Sequence, residues 1–367
     1  MKLTHRSLIP VLLLAVLFLA SCTTHPARRA GADPGVTSAT TGVAHSRRRP
    51  LQTDTHRFER ITDGVYLAVG TGSIFVQSNS LVIVNRDDVI VVDSHVTPAA
   101  ARALTASVKT LTDKPIRYLI NTHYHFDHAH GNQVFGDGIE IIGHEFTRSM
   151  LLGDVLQQNT YRSFAGAVPA QVEDLEKRVT ATTDPHEKKE LEERLRVTRN
   201  HMHALDEVRP TPPDLTLKTS LTIFRGEREI QLLYLGRGHT GGDVVVFLPG
   251  ERVVFTGDLM LPFLAYMGDA FVDEWPATLE KLKALDFDII APGHGGLVRG
   301  KDQIGHFQAY LRDIWERVAA MKKAGLAPEE VAAKVDMTDH GKHFPSIKGP
   351  GADLRAVARM FRILEEK

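Results

Sequence analysis

Four histidines lie within residues 121–130 of this chain, directly after an apolar run at 116–120. The whole chain has 18 histidines in 367 residues, so this segment is strongly enriched. A short apolar run bounded by polar residues is typical of a buried strand, which places the histidines on the loop at that strand's end. Imidazoles two residues apart, as in His123 and His125, can converge on one metal ion. Asp127 and His128 can turn towards a second ion nearby.

Short apolar runs rich in β-branched residues recur in both halves of the chain, separated by Gly, Asn and Asp. Helix-like segments lie between them and after them. Strand runs in both halves with helices between them predict two packed sheets covered outside by helices. The predicted strands are 65–69, 74–76, 81–84, 89–92, 116–120, 139–142, 221–224, 230–235, 244–248, 253–255 and 287–290.

The helical segments are predicted from apolar residues at helical spacing. One helix is expected at 98–110, and residues 145–210 read as a helical insertion that is broken at Asp184-Pro185. Residues 301–367 are expected to form C-terminal helices, because an apolar stripe runs from Ile304 to Val318.

The N-terminal region has the pattern of an export signal. Lys2 and Arg6 precede an apolar run at 8–20, which is the right length for a signal-peptide core and short for a bilayer span. The run ends at Cys22, the only cysteine of the chain, in a context that resembles the lipobox of bacterial lipoproteins. We therefore expect a signal peptide at 1–22, lipidation of Cys22 and anchoring on the periplasmic face of a bacterial membrane. The alternative is a non-lipidated signal and a soluble periplasmic or secreted protein.

Residues 23–56 are rich in Thr, Ala, Gly, Arg and Pro without apolar periodicity, which predicts a flexible tether. The chain has 44 Lys and Arg against 45 Asp and Glu, and several of the basic residues fall in the N-terminal region. The body is therefore mildly acidic, which disfavours nucleic acid as a partner. A small-molecule substrate is expected instead, and the oligomeric state is left open.

Five motifs occur in an order that resembles the metallo-β-lactamase superfamily. The histidine-rich segment is the second of them, and the other four are Asp93 after 89–92, the loop 236–243 with His239, the loop 255–258 with Asp258, and the loop 292–295 with His294. The resemblance covers about residues 58–300. It implies an α/β fold, an αββα sandwich at 57–300 that carries the helical insertion, with the C-terminal helices packed on the same domain.

The resemblance also implies a metal centre with two ions per chain. His123, His125 and His239 would bind the first ion, and Asp258 would bridge the two. Donors of this kind without a thiolate suit Zn²⁺, with Fe or Mn also allowed. The second ion would be bound by Asp127, His128 and His294. Asp93 would support the metal loop from outside the ligand set, and Tyr266 is a candidate for contacting substrate.

A hydrolase is the function that the resemblance implies. A hydroxide shared by the two ions would attack a carbonyl carbon, and Asp127 would orient it and pass a proton to the leaving group. The bond would be a lactone, thioester, ester or β-lactam. A β-lactamase specifically is one alternative, although a bridging Asp258 is more typical of other branches of the superfamily. The others are an iron-dependent oxidoreductase resembling persulfide dioxygenases and a lipoprotein scaffold that has lost catalysis.

Overall fold

The computed structural model describes residues 51–136 and 138–367, which belong to one compact unit. The predicted signal peptide, Cys22 and most of the predicted tether lie outside the described residues. The last residues of that tether do not follow the prediction, because Leu51–Gln52 pairs with the strand His56–Thr62. His56 is fully buried. The folded body therefore includes Leu51, six residues before the expected boundary.

The first sheet contains eight strands arranged in chain order. Its early strands pair antiparallel, and β5 to β8 are parallel to one another. Parallel neighbours are joined by crossovers, here the helix α1 (Pro98–Val108), the segment that holds the histidines and the helical insertion. The strands are β1 Leu51–Gln52, β2 His56–Thr62, β3 Val65–Gly70, β4 Ser80–Val84, β5 Val89–Val92, β6 Ile116–Ile120, β7 Glu140–His144 and β8 Leu215–Leu217.

The second sheet contains six strands in the order β14-β13-β12-β11-β10-β9. Only β12 and β13 pair in parallel. The strands are β9 Ser220–Arg225, β10 Arg228–Tyr234, β11 Val244–Leu248, β12 Val253–Phe255, β13 Ile289–Ala291 and β14 Val298–Arg299.

Side chains alternate between two cores along the central strands, as period-two geometry requires. In β4, Leu81 and Ile83 pack between the two sheets, whereas Val82 packs outward with residues of α1 such as Leu104. In β11, Val245 belongs to a third core under the C-terminal helices. The predicted αββα layering is therefore confirmed.

Helices occupy the regions expected from the sequence. The insertion contains α3 to α5, and α5 begins at Pro185 with Asp184 capping its first turn, so the predicted break is confirmed. Helices α7 to α9 pack on the same core as the second sheet. The helices are α1 Pro98–Val108, α2 Phe126–Ala129, α3 Glu145–Leu152, α4 Asn159–Ala181, α5 Pro185–Asp206, α6 Trp275–Ala284, α7 Asp302–Lys323, α8 Pro328–Lys334 and α9 Leu354–Glu366.

The strand predicted at 74–76 is wrong. These residues form an irregular loop in which Gln77 has a positive φ of 68°. Their side chains pack with Val96, Ala100 and Phe126 instead of joining a sheet. An apolar tripeptide alone did not distinguish a strand from a loop that buries its side chains.

Within residues 51–136 and 138–367, none of the helices combines the length and the apolar character that crossing a membrane requires.

Candidate metal centre

The site lies where strands of both sheets end. Asp93 directly follows β5, and the histidine-rich loop follows its parallel neighbour β6. Asp258 and His294 follow β12 and β13, which are the parallel pair of the second sheet. Because the carboxyl ends of parallel strands meet at one edge, this topology brings distant residues to one place.

The first cluster consists of His123, His125 and His239. One ring nitrogen from each lies within 4.8 Å of the others. The shortest approach joins His239 Nε2 to His125 Nδ1 at 2.9 Å. Three buried imidazoles that direct nitrogens at one point form the donor set of a structural or catalytic metal site.

The second cluster consists of Asp127, His128 and His294, again within 4.8 Å. His294 Nε2 lies 3.0 Å from Asp127 Oδ2 and 3.3 Å from His128 Nε2. The His294 side chain is 19% exposed, more than the other five ligand side chains with a stated exposure, so solvent reaches the cluster on this side.

Asp258 lies between the two clusters. Its Oδ2 is 3.7 Å from His239 Nε2 and 3.3 Å from His294 Nε2, and its Oδ1 is 3.4 Å from His128 Nε2. One ligand atom from each of Asp258, His123 and His128 also lies within 4.8 Å of the other two. The structure thus brings together all seven residues predicted as ligands, with Asp258 in contact with both groups.

The ligands divide between the sheets. Four come from the loop after β6, and His239, Asp258 and His294 come from loops of the second sheet. Each cluster therefore takes two residues from the first sheet and one from the second.

The arrangement of donor atoms fits bound cations. His123 Nε2 is buried and makes no hydrogen bond to the described residues, although it belongs to the first cluster. A buried polar atom without a partner is costly, and a metal ion would satisfy it. Imidazoles and carboxylates without a thiolate suit Zn²⁺, Fe or Mn.

Carboxylates govern the electrostatics of the second cluster. Although burial opposes it, the charges of Asp127 and Asp258 hold the pKa of His128 well above its usual range. Asp258 and Asp127 likewise raise the pKa of His294 to about 10 against the effect of burial. In the metal-free protein these imidazoles carry protons that neutralise the carboxylates. Metal binding must therefore release protons here.

The first cluster has the opposite character. Burial, together with the nearby His128, holds the pKa of His123 well below its usual range. Burial and His125 lower the pKa of His239 to about 3. The imidazoles of His123 and His239 are therefore neutral at physiological pH, so their lone pairs are available to a metal without prior loss of a proton.

Asp93 determines which imidazole nitrogens face the two clusters. It is completely buried, and its Oδ1 accepts the backbone N–H of Thr122 at 2.8 Å. Its Oδ2 accepts both the Thr122 hydroxyl and His128 Nδ1–H, each at 2.8 Å. Thr122 Oγ1 in turn lies 3.0 Å from His123 Nδ1 and can accept its proton. Both histidines therefore present Nε2 to the clusters, and these contacts are compatible with the supporting role predicted for Asp93.

Asp269 performs the same task for His125 and was not predicted. Its Oδ2 accepts His125 Nε2–H at 3.2 Å and the Thr160 hydroxyl at 2.6 Å. This leaves His125 Nδ1 facing the cluster. Asp269 is 144 residues from His125 in the sequence, and no motif around it signals the contact.

The hydroxyl of Tyr266, predicted as a substrate contact, lies 2.9 Å from Thr160 Oγ1. Its ring centre is 6.1 Å from that of His125. Tyr266 also lines a cleft, together with Tyr124 and Asp269.

Two further histidines and a tryptophan in this region have structural surroundings. His130 is fully buried beside Tyr161, and His144 caps α3 by accepting the N–H of Phe146. Trp275 is fully buried at the first turn of α6.

Gly293 allows the last metal loop to pass close to Asp258. A Cβ at this position would lie 2.4 Å from Asp258 Oδ1 and 2.8 Å from His128 Cε1. Only glycine fits here without moving a predicted ligand.

The family model of the metallo-beta-lactamase superfamily matches residues 73–294, which include all seven clustered residues. The chain belongs to this superfamily. The similar proteins include an alkylsulfatase and metallo-beta-lactamases, which is consistent with a metal-dependent hydrolase.

Curated relatives differ in their activities. A linear primary-alkylsulfatase from Pseudomonas sp. is 26% identical over 69% of this chain, which spans about half (49%) of that relative's length. A metallo-beta-lactamase type 2 from Bacteroides fragilis is 25% identical over 64% of this chain and 78% of its own length.

Among solved structures, a metallo-beta-lactamase from Pontibacter korlensis aligns with a TM-score of 0.50 at 18% identity, covering 70% of this chain and 99% of that chain. This likeness supports the shared fold.

Proposed function

We propose that this protein is a zinc-dependent hydrolase that binds two ions and cleaves an ester-like carbonyl bond in a lactone, thioester, ester or β-lactam. The observation that carries the proposal is Asp258, whose oxygens lie 3.3–3.7 Å from nitrogens of both clusters. A carboxylate in that position can hold two cations at the short separation that hydrolytic two-metal sites use.

Two bound cations would lower the pKa of water and stabilise negative charge on the substrate. The chain's own residues position these charges. Asp93 and Asp269 set the histidine tautomers from outside, and the rigid strand ends hold the seven ligands in place.

Asp127 is proposed to orient the attacking water and move its proton. Its Oδ2 lies 3.0 Å from His294 Nε2, on the side where the cluster meets solvent. The Ser78 hydroxyl donates to the Asp127 backbone carbonyl at 2.5 Å and fixes the start of α2. The carboxylate oxygen would accept the proton from water and donate it to the leaving group.

The test uses residues 51–367 and a panel of a chromogenic cephalosporin, an aryl lactone, a thioester and an aryl ester. We expect about two zinc ions per chain, with turnover that a chelator abolishes and zinc restores. His123→Ala and Asp258→Ala should lose metal and activity together. Full activity and metal content in either variant would contradict the ligand assignment.

Two further compounds, added to the panel, address the competing functions. An alkyl sulfate ester is included because the alkylsulfatase relative matches 69% of this chain. Sulfate release without turnover of any carbonyl substrate would replace the proposed bond class. One iron per chain and oxygen consumption with a persulfide would instead select the oxidoreductase alternative.

We also propose that the protein is exported and anchored to a bacterial membrane through a lipid on Cys22. The lipobox-like sequence at 19–22 supports this. Labelled palmitate should be incorporated into the full chain but not into Cys22→Ala. Equal labelling, or no labelling of either protein, would contradict the anchor.

A further inference from the structure

A large cleft lies beside the metal centre but is lined by none of the seven clustered residues. It encloses about 1270 Å³. Its walls come from the helical insertion, from the loop 266–271 and from α7 and α9. The wall formed by α7 and α9 lies beyond residue 294, where the superfamily match ends.

One part of the cleft surface is apolar. Tyr124, Phe146 and Met150 line it on the insertion side, and Phe271 and Leu326 line it opposite. An apolar concave surface of this size suits a ligand with a hydrocarbon or aromatic body.

The other part is cationic. Arg355, Arg359 and Arg362 lie four and three residues apart on α9, so they share one helix face, and all three line the cleft. Lys322 from α7 joins them. Like charges at this spacing destabilise a helix, so the arrangement costs stability unless an anion offsets it.

Two of these cations already have partners. Lys322 Nζ lies 3.0 Å from Glu365, and the Arg355 guanidinium pairs with Asp353 at 2.6 Å. Besides Glu365, the acidic residue that lines the cleft is Asp269, which already accepts hydrogen bonds from His125 and Thr160.

Arg359 and Arg362 have no carboxylate partner among the described residues. Arg359 donates Nε–H to the carbonyl of Ala270 at 2.9 Å, and its guanidinium lies 4.8 Å from the ring centre of Phe271. Burial, together with the charge of Arg362, lowers the pKa of Arg359. The charges of Glu366 and Asp269 act on Arg359 in the opposite sense, but neither carboxylate pairs directly with it. Two neighbouring guanidinium groups without a direct carboxylate partner can bind an anion.

The cleft and the metal centre share a contact through a single residue, Asp269. Asp269 lines the cleft and accepts the hydrogen bond of His125, while Tyr266 lines it and contacts Thr160. A ligand in the cleft would therefore contact the group that orients a predicted metal ligand.

We propose that this cleft binds an organic anion with an apolar body, holding its anionic group at Arg359 and Arg362 and its apolar part against the aromatic wall. The ligand is a substrate or product, or a separate effector with the same chemistry. This proposal concerns binding in the cleft and not turnover at the metal centre, so it is tested by a binding measurement that needs no catalysis.

The experiment measures decanoate binding to the zinc-loaded protein by calorimetry, below the micelle concentration, with decanol as the uncharged probe. We expect one decanoate per chain and much weaker binding of decanol. Arg362→Gln keeps every hydrogen bond and ion pair of the described residues, so it is the first variant. It should weaken decanoate binding about tenfold, as expected for one lost charged contact.

Arg359→Gln/Arg362→Gln should weaken binding further. Arg194→Gln removes an exposed helical arginine of α5 and is the matched control, which should bind as the unmodified protein does. Equal affinity for decanoate and decanol, or no binding, would overturn the proposal. Unchanged binding by both cleft variants would also overturn it, since the carboxylate would then be at the metals.

A second measurement distinguishes the two sources of the ligand. If decanoate competes with the substrate identified in the panel, the cleft is a substrate or product site. Decanoate that changes turnover without competing belongs to an effector site. Because calorimetry needs no turnover, an inactive protein that still binds decanoate through Arg362 would contradict the proposed function alone.

Discussion

Replacing Asp93 by asparagine tests whether outer hydrogen bonds set the metal affinity. Asp93 uses both carboxylate oxygens as acceptors, one for the Thr122 N–H and the other for the Thr122 hydroxyl and His128 Nδ1–H. An amide has only one acceptor oxygen, so in either orientation its NH₂ faces a donor. This donor–donor clash is relieved most simply if the His128 proton moves from Nδ1 to Nε2. The metal would then face an N–H group instead of a lone pair.

Asp269→Asn is the matched control, because there one oxygen accepts both donors. Oδ2 of Asp269 lies 3.2 Å from His125 Nε2 and 2.6 Å from the Thr160 hydroxyl. An amide oxygen in that position preserves both hydrogen bonds and removes only the charge. The two substitutions are chemically identical, yet only Asp93→Asn should force a histidine to change tautomer.

We expect Asp93→Asn to weaken binding of the second ion 10- to 100-fold, the usual range for outer-shell changes and about 1.4–2.7 kcal/mol. Asp269→Asn should change metal affinity by less than about fivefold, since charge-assisted hydrogen bonds are only about twice as strong as neutral ones. Zinc affinity is measured by competition with a chromophoric chelator, and circular dichroism verifies the fold. Two ions bound with unchanged affinity in Asp93→Asn, or equal losses in both variants, would refute the tautomer argument.

Three further predictions follow from the same geometry. Gly293→Ala places a methyl group 2.4 Å from Asp258 Oδ1, so we expect a folded protein with reduced metal content, measured by elemental analysis; full occupancy would contradict it. Chelation should lower the thermal midpoint in a zinc-dependent way, because ions bind only the folded clusters, and an unchanged midpoint in a scanning experiment would argue against the site. Burial lowers the pKa of His201 to about 4, so the unfolded chain binds a proton more readily and acidification from pH 6.5 to 4 favours unfolding. His201→Phe, which keeps a ring in contact with Phe75, should remove up to about 3 kcal/mol of this acid sensitivity in urea titrations, and equal sensitivity would refute the assignment.

The predicted ligands were accessible from the sequence because each lies in a short segment directly after a strand. His123, His125, Asp127 and His128 share one such segment, and Asp258 and His294 follow apolar runs that are unmistakable as strands. The layered fold was predictable for the same reason. Their binding of metal is still a prediction that the proposed variants test.

The features of the fold and the site that could not be predicted from the sequence depend on long-range contacts. Asp269 contacts His125 across 144 residues, and the basic face of α9 reaches the cleft only because α7 to α9 pack on the second sheet. Residues 51–56 were assigned to the tether because strand β1 is only two residues long. Local composition does not encode such pairings.

The division of ligands between the sheets has a consequence for reassembly from fragments. A cut in the exposed turn at residues 218–219 would give one fragment with two ligands for each ion and a second fragment with His239, Asp258 and His294. Neither polypeptide alone would hold three ligands for one ion. Zinc would then bridge two separate chains, so their dissociation constant should fall as zinc is added. The metal centre would thus serve as a split reporter whose signal depends on both halves and on the free metal concentration.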